Sequence, residues 1–278
     1  MPGVLLYAAA VTEIWTQLRT QLRTQASPSS SPSPSGRSKA SSADVVLPHS
    51  APRPVVRLIE HLGSGVARLL ARIEVPQAPE GFELRGDLPL VLIGNHRSLF
   101  DVLLGMRMMR RWNAPGRLMV KGDFFDRPGL GLLLRTLGAI PVVQGRGAKL
   151  AFDQAALALR NRQSIIIMPE ARIVPPHERL EGTGELVSTL GRLVSSGPCM
   201  VVVTAMIGAD DVWPVGASKP VIRPWRRPTV RIRSIAIRDL HELPHRDITA
   251  RLQLEMRAIL KRMESLGGRE SEGLIEHA

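Results

Sequence analysis

The chain has 278 residues, enough to bury a full hydrophobic core, and it reads as one domain of roughly 200 to 230 residues with tails rather than as two domains. Its formal net charge of +12 favours an anionic partner such as a phosphate-bearing substrate or an anionic membrane surface, while an aromatic content of only 4% leaves few stacking platforms and argues against a nucleic-acid partner. Cys199 is the one cysteine, which excludes an internal disulfide framework and a multi-thiolate metal cluster and suits a reducing compartment.

No window offers the run of about 18 apolar residues that a spanning helix needs. The nearest, 193–209, is interrupted by Ser195, Ser196, Gly197 and Pro198. The first ten residues are apolar but lack a basic leader region, so no signal peptide is expected. The expectation is a cytoplasmic protein whose contact with the inner face of a membrane is peripheral.

In chain order, residues 4–23 read as a short amphipathic helix built on Leu5, Leu6, Val11, Ile14, Trp15 and Leu18. Residues 25–50 are rich in Ser, Pro and Ala and cannot repay the entropy of ordering, which makes them a disordered linker. The expected organisation is therefore 1–51 for the helix and linker, 52–266 for the folded domain and 267–278 for a frayed tail. Residues 55–73 carry Val56, Ile59, Leu62, Val66, Leu69 and Leu70 at helical spacing, with Arg57, Arg68 and Arg72 in or beside the polar face. Such a helix packs on a sheet by one face and can meet a headgroup layer by another.

Residues 90–101 read LVLIGNHRSLFD. The uncharged run ending at Gly94 is the pattern of a strand covered on both faces, and open α/β sheets place their chemistry at the ends of such strands. A helix then runs to about Arg111, with His96 just before its first turn and Asp101 just inside it. A carboxylate so placed can accept a hydrogen bond from one imidazole nitrogen and leave the other as a base. The alternative makes His96 an ordinary loop residue and Asp101 an early-helix acid favoured by the dipole.

A strand over 118–121 ends at Lys121, a helix follows Pro128 and closes at Gly138, and 140–143 resumes as a strand. Gln144, Gly145, Arg146, Gly147 and Lys149 form a compact basic turn able to face an anion, or simply a solvated one. Residues 152–159 are helical, and 164–168 are a buried strand that ends at Pro169 and Glu170, with Arg172 close behind. If that strand is a parallel neighbour of 90–94, Glu170 and Arg172 converge with His96 on one rim. A loop over 173–184, a helix over 185–193 and a core strand over 199–207 follow, closed by Asp210 and Asp211 as a metal pair or as solvated acids. From 219 to 238 there are seven basic residues and no acidic one. Within that stretch 230–233 reads as an edge-like strand with a charged face, near Trp225. A closing amphipathic helix covers 249–263.

Taken together, NHRSLFD at 95–101, VKGDFFDRPGLGLLLRTLGAIPVV at 120–143 and IIIMPE at 165–170 resemble the glycerolipid acyltransferase family that includes lysophosphatidate acyltransferases. The resemblance covers about 55–240. It implies a mostly parallel central sheet flanked by helices, with His96 as general base and Asp101 as its partner. It also implies direct acyl transfer from acyl-CoA or acyl-carrier protein as co-substrate, with no further cofactor and no metal. Lys121, Arg146, Glu170 and Arg172 match or neighbour the positions that place substrate in that family. Two departures concern the acceptor. Gln144 stands where the family's second motif has an Arg, and Ala171, Arg172 and Ile173 replace the Gly, Thr and Arg of its third block. Glu181, Gly182 and Thr183 echo those missing letters eleven residues late, as a chance likeness. The acceptor implied by the family is 1-acylglycerol 3-phosphate. The altered blocks keep open a lyso-lipid or hydroxylated acceptor without glycerol phosphate, and a non-catalytic lipid-binding role. The chain is silent on oligomeric state.

Overall fold

The computed structural model describes residues 45–275 except 144, 145, 218 and 224, and leaves aside the side chains of 84, 85, 146 and 266–275. The helix expected over 4–23, and the linker as far as 44, lie outside the described residues.

The described chain runs α1 (Arg53–Leu70), β1 (Arg72–Glu74), β2 (Leu90–Gly94), α2 (Phe100–Arg111), β3 (Gly116–Lys121), α3 (Leu130–Thr136) and β4 (Ile140–Val142). It continues through α4 (Arg146–Arg160), β5 (Ser164–Ile167), α5 (Thr189–Val194), β6 (Met200–Ile207), the single turn α6 (Ala209–Val212), β7 (Thr229–Ile237) and α7 (His245–Ile275). The strands form one sheet in the order β1-β7-β6-β2-β5-β3-β4. Every pairing is parallel except that of β6 with β7.

Helices cover both faces, which is why β2 is apolar at every position rather than at alternate ones. Leu90 and Leu92 join one core with Phe100, Leu104 and Leu134 from α2 and α3 and Ala67 and Leu70 from α1. Val91 and Ile93 join the other with Ala155 from α4, Leu190 from α5 and Leu252 and Met256 from α7. Gly131 explains the PGLG run in α3: a Cβ there would stand 2.0 Å from the carbonyl oxygen of Phe125, so only glycine lets the helix cross that close.

Several boundaries differ from the sequence expectation. The compact unit begins at Val45, because Gln154 Nε2 donates to Val46 O (2.8 Å), Arg117 Nη1 to Pro48 O (2.6 Å) and Ala51 N to Thr136 O (2.9 Å). At the other end α7 continues to Ile275. The basic residues from Arg146 to Lys149 open α4 instead of forming a turn, and Lys149 pairs with Asp153 one turn on (2.9 Å). Helix α5 is shorter than the expected 185–193, since Val187 N and Leu186 N bond to Pro169 O (2.9 Å) and Gln253 Oε1 (2.9 Å) before it starts.

The expected edge strand is the nine-residue β7 and lies inside the sheet, antiparallel to β6 on one side and paired with β1 on the other. The reason is that α1 stops at Leu70, so Arg72–Glu74 is free to add the outer strand. Among the described residues no helix is long and apolar enough to cross a membrane.

Candidate active site

Because β2, β3, β5 and β6 run parallel, their C-terminal ends share one rim, and the segment after β2 emerges there. Asn95 is fully buried and fastens that segment to the neighbouring strand: its Nδ2 donates to Met206 O (3.0 Å) and its Oδ1 accepts from Met206 N (2.8 Å). The side-chain amide thus continues the sheet's ladder by one more pair, beyond the last residue of β2.

His96 follows. Its Nδ1 lies 3.0 Å from Asp101 Oδ2, with the imidazole 16% exposed and the carboxylate fully buried. The same Oδ2 accepts the backbone N–H groups of Arg97 (2.7 Å) and Ser98 (2.7 Å), while Oδ1 is buried without a partner. A carboxylate already facing two donors is an acceptor, so the imidazole carries its proton on Nδ1 and its lone pair on Nε2. Nε2 makes no hydrogen bond to the described residues. Asp101 lies in the first turn of α2, where the unpaired N–H groups of the helix start also favour a negative charge.

The main chain of His96 is gripped from the β5 side. Its N–H donates to Glu170 Oε2 (2.6 Å), and its carbonyl accepts from Val174 N (3.0 Å). Glu170, only 8% exposed, spends its other oxygen on the Thr183 hydroxyl and on Gly184 N (2.7 Å). Thr183 therefore belongs to the site after all. The 171–184 loop folds back so that a residue thirteen positions on meets the strand-end carboxylate, and Arg97 Nη2 steadies the bend through Gly182 O (2.9 Å).

The other expected residues divide. Glu170 converges with His96 as parallel β2 and β5 require. Arg172 does not reach the imidazole: it is 59% exposed and paired with Glu178, whose hydrogen bond raises the Arg172 pKa above its ordinary value. Lys121 ends β3 on the same rim, two strands from β2 and so about 10 Å along the sheet. There it pairs with Asp123 (2.6 Å), and that hydrogen bond holds the Asp123 carboxyl below the usual range. Arg146 opens α4, and its side chain lies outside the described residues. Asp210 is neither a metal pair with Asp211 nor a solvated acid, for it is bound by Arg179 Nη1 at 2.8 Å. A cleft of about 370 Å³ opens beside the His96 main chain, lined by Glu170, Arg172, Val174, Glu178, Thr183 and Glu185 among others. A larger one of about 470 Å³ lies around Arg53, Arg57, Arg110 and Asn113, before β3 and so on the opposite rim.

An imidazole with an orienting carboxylate behind it and a free nitrogen in front, on the rim of a helix-covered parallel sheet, has the chemistry of a base acting on a hydroxyl. Residues 74–206 match the protein family described as Acyltransferase. Over those residues the chain carries an acyltransferase domain, and the protein is an acyltransferase enzyme. In structure it is similar to the 1-acyl-sn-glycerophosphate (LPA) acyltransferase, PlsC, from Thermotoga maritima, with a TM-score of 0.58 and 17% identity over 76% of this chain and 80% of that one. A likeness at that identity concerns the fold. No curated protein matches the sequence.

Proposed function

We propose that the enzyme moves a fatty acyl group from an acyl thioester, acyl-CoA or acyl-carrier protein, to the free hydroxyl of 1-acylglycerol 3-phosphate. The observation that carries this reading is the 3.0 Å contact of His96 Nδ1 with buried Asp101, which leaves Nε2 open. Nε2 takes the hydroxyl proton as the acceptor oxygen attacks the thioester carbonyl. The tetrahedral intermediate then expels the thiolate as its C–S bond breaks, and the imidazolium returns the proton to sulfur. Asp101 stabilises the imidazolium throughout. The oxyanion is met by a backbone N–H or a cation on the rim. The acceptor name comes from the family resemblance and from the Thermotoga maritima protein's description. Purified enzyme with a matrix of thioester donors and lysophosphatidate, read by lipid mass analysis, tests it. Equal turnover by wild type and His96→Ala would remove the histidine from this role.

A second reading of the acceptor, a lyso-lipid or hydroxylated molecule without glycerol phosphate, rests on the cleft itself. Glu170, Glu178 and Glu185 line it against the single cation of Arg172, which Glu178 already engages. A site of that sign repels a phosphate and suits an uncharged or amine-bearing head group. Turnover of lysophosphatidate far above uncharged or amino-acid-containing acceptors would rule this version out.

A further inference from the structure

The rim that carries His96 also carries a surface the chemistry does not use. Residues 213–228, between α6 and β7, contain no acidic side chain. Arg223, Arg226 and Arg227 are exposed, and between them project Ile222 (71% exposed) and Trp225 (93% exposed). A tryptophan almost wholly in water is the least expected placement for that side chain, whose apolar body and polar N–H suit a boundary between an apolar and a wet phase.

The loop is tied at both ends to elements whose place is known. Ser98 Oγ donates to Trp213 O (2.7 Å), which joins its start to the His96 segment. Arg72 N donates to Pro228 O (2.8 Å) and Arg227 Nη1 to Arg68 O (2.9 Å), which join its end to the last turn of α1. There Leu69 is 60% exposed beside Arg68. Apolar tips and cations thus share the side of the sheet on which His96 opens.

We infer that this rim docks on an anionic bilayer, with Trp225 and Ile222 entering the headgroup boundary and Arg223 and Arg226 on the lipid phosphates. Cations around an aromatic tip complement negative headgroups and an apolar layer together, whereas nucleic acid offers phosphates and base faces but no apolar layer for the exposed Ile222 and Leu69. Docking in this orientation sets the rim that carries His96 against the surface from which a lyso-lipid acceptor arrives. In that respect the inference rests on the lipid acceptor proposed above.

The test is flotation of the full-length protein with phosphatidylcholine vesicles, with and without phosphatidylglycerol. Beside it runs acyl transfer to acceptor held in neutral detergent micelles. At about 1 kcal/mol per cation near the surface, Arg223→Ala with Arg226→Ala is expected to weaken partition onto phosphatidylglycerol vesicles about 30-fold. Trp225→Ala is expected to weaken it on both vesicle types about tenfold. Neither change touches a buried contact, and both variants are expected to keep wild-type turnover in micelles. Partition of both variants equal to wild type overturns the docking surface, as does retention on duplex DNA without vesicle binding. Wild-type protein that floats through this surface yet transfers no acyl group leaves the docking intact and overturns the proposed reaction.

Discussion

His96 and Glu170 meet through the main chain and not through the imidazole, the His96 N–H donating to Glu170 Oε2 at 2.6 Å. Glu170 is therefore a positioning residue, since its oxygens are occupied by His96, Thr183 and Gly184. Glu170→Gln puts an NH2 group where a backbone or hydroxyl donor already points. One unsatisfied buried donor costs about 1–3 kcal/mol. The expected outcome is a lower unfolding midpoint in urea together with a kcat reduced at least about tenfold. An unchanged midpoint with a changed KM alone would make Glu170 a substrate contact instead.

His96→Ala is expected to lower kcat by about 10² to 10⁴-fold with little change in stability. Asp101→Asn keeps the shape but offers an amide where the imidazole N–H needs an acceptor. It is expected to fall in the same range through the wrong tautomer. Pre-steady-state acyl transfer measured for both variants checks that the loss is in the chemical step.

The motif was legible in the sequence for a physical reason: a two-faced apolar strand announces itself over five residues, and a His five positions ahead of a first-turn Asp restricts what the pair can do. Asn95 was not legible as a clamp, because its partner Met206 is 111 residues away and an amide bonding to a distant main chain leaves no local pattern. Strand β1 was hidden by its brevity, since three residues following a helix continue the helical reading unless the partner strand is known. Thr183 was not legible as a site residue, because a folded-back loop breaks the link between register in sequence and place in the fold.

Arg179 is a buried structural cation, 8% exposed, bonded to Val174 O (2.9 Å) and Asp210 (2.8 Å). Burial and the neighbouring Arg179 lower the Arg97 pKa, and the negative charge of Asp210 acts the other way. Arg179→Met is expected to destabilise by about 2 kcal/mol, less than for a fully buried pair because Asp210 retains some water. A double-mutant cycle with Asp210→Asn, followed by urea unfolding, is expected to return a coupling of about 1–3 kcal/mol.

Arg172 lies half outside the cleft and is engaged by Glu178. Arg172→Ala is expected to change stability by less than about 0.5 kcal/mol, as an exposed pair should. It is also expected to leave the KM for lysophosphatidate within about twofold, because a guanidinium already paired offers little to a phosphate. A rise of an order of magnitude, read in steady-state kinetics, would assign it the phosphate.

Burial pushes the Cys199 thiol up to about 12. The unfolded chain loses that proton from about 8.5, so between the two values the native state holds more protons than the unfolded one. Stability then falls as pH rises, by about 1.4 kcal/mol per pH unit from this group. Cys199→Ala is expected to flatten the alkaline limb of the stability curve, measured by urea unfolding at a series of pH values. Native protein is expected to resist alkylation at Cys199 until it unfolds.

The clamp made by Asn95 and the bond from Ser98 to Trp213 also decide where motion can occur. One side of the histidine is riveted to the end of β6, so the imidazole, its carboxylate and the start of the 213–228 loop travel as a block. The other wall is the 171–184 loop, held by Glu170, by Arg97, by the Arg179–Asp210 pair and by a few main-chain bonds, all of them polar contacts. If an acceptor as bulky as a lyso-lipid needs a door, it is that loop that swings, and the base stays in the frame.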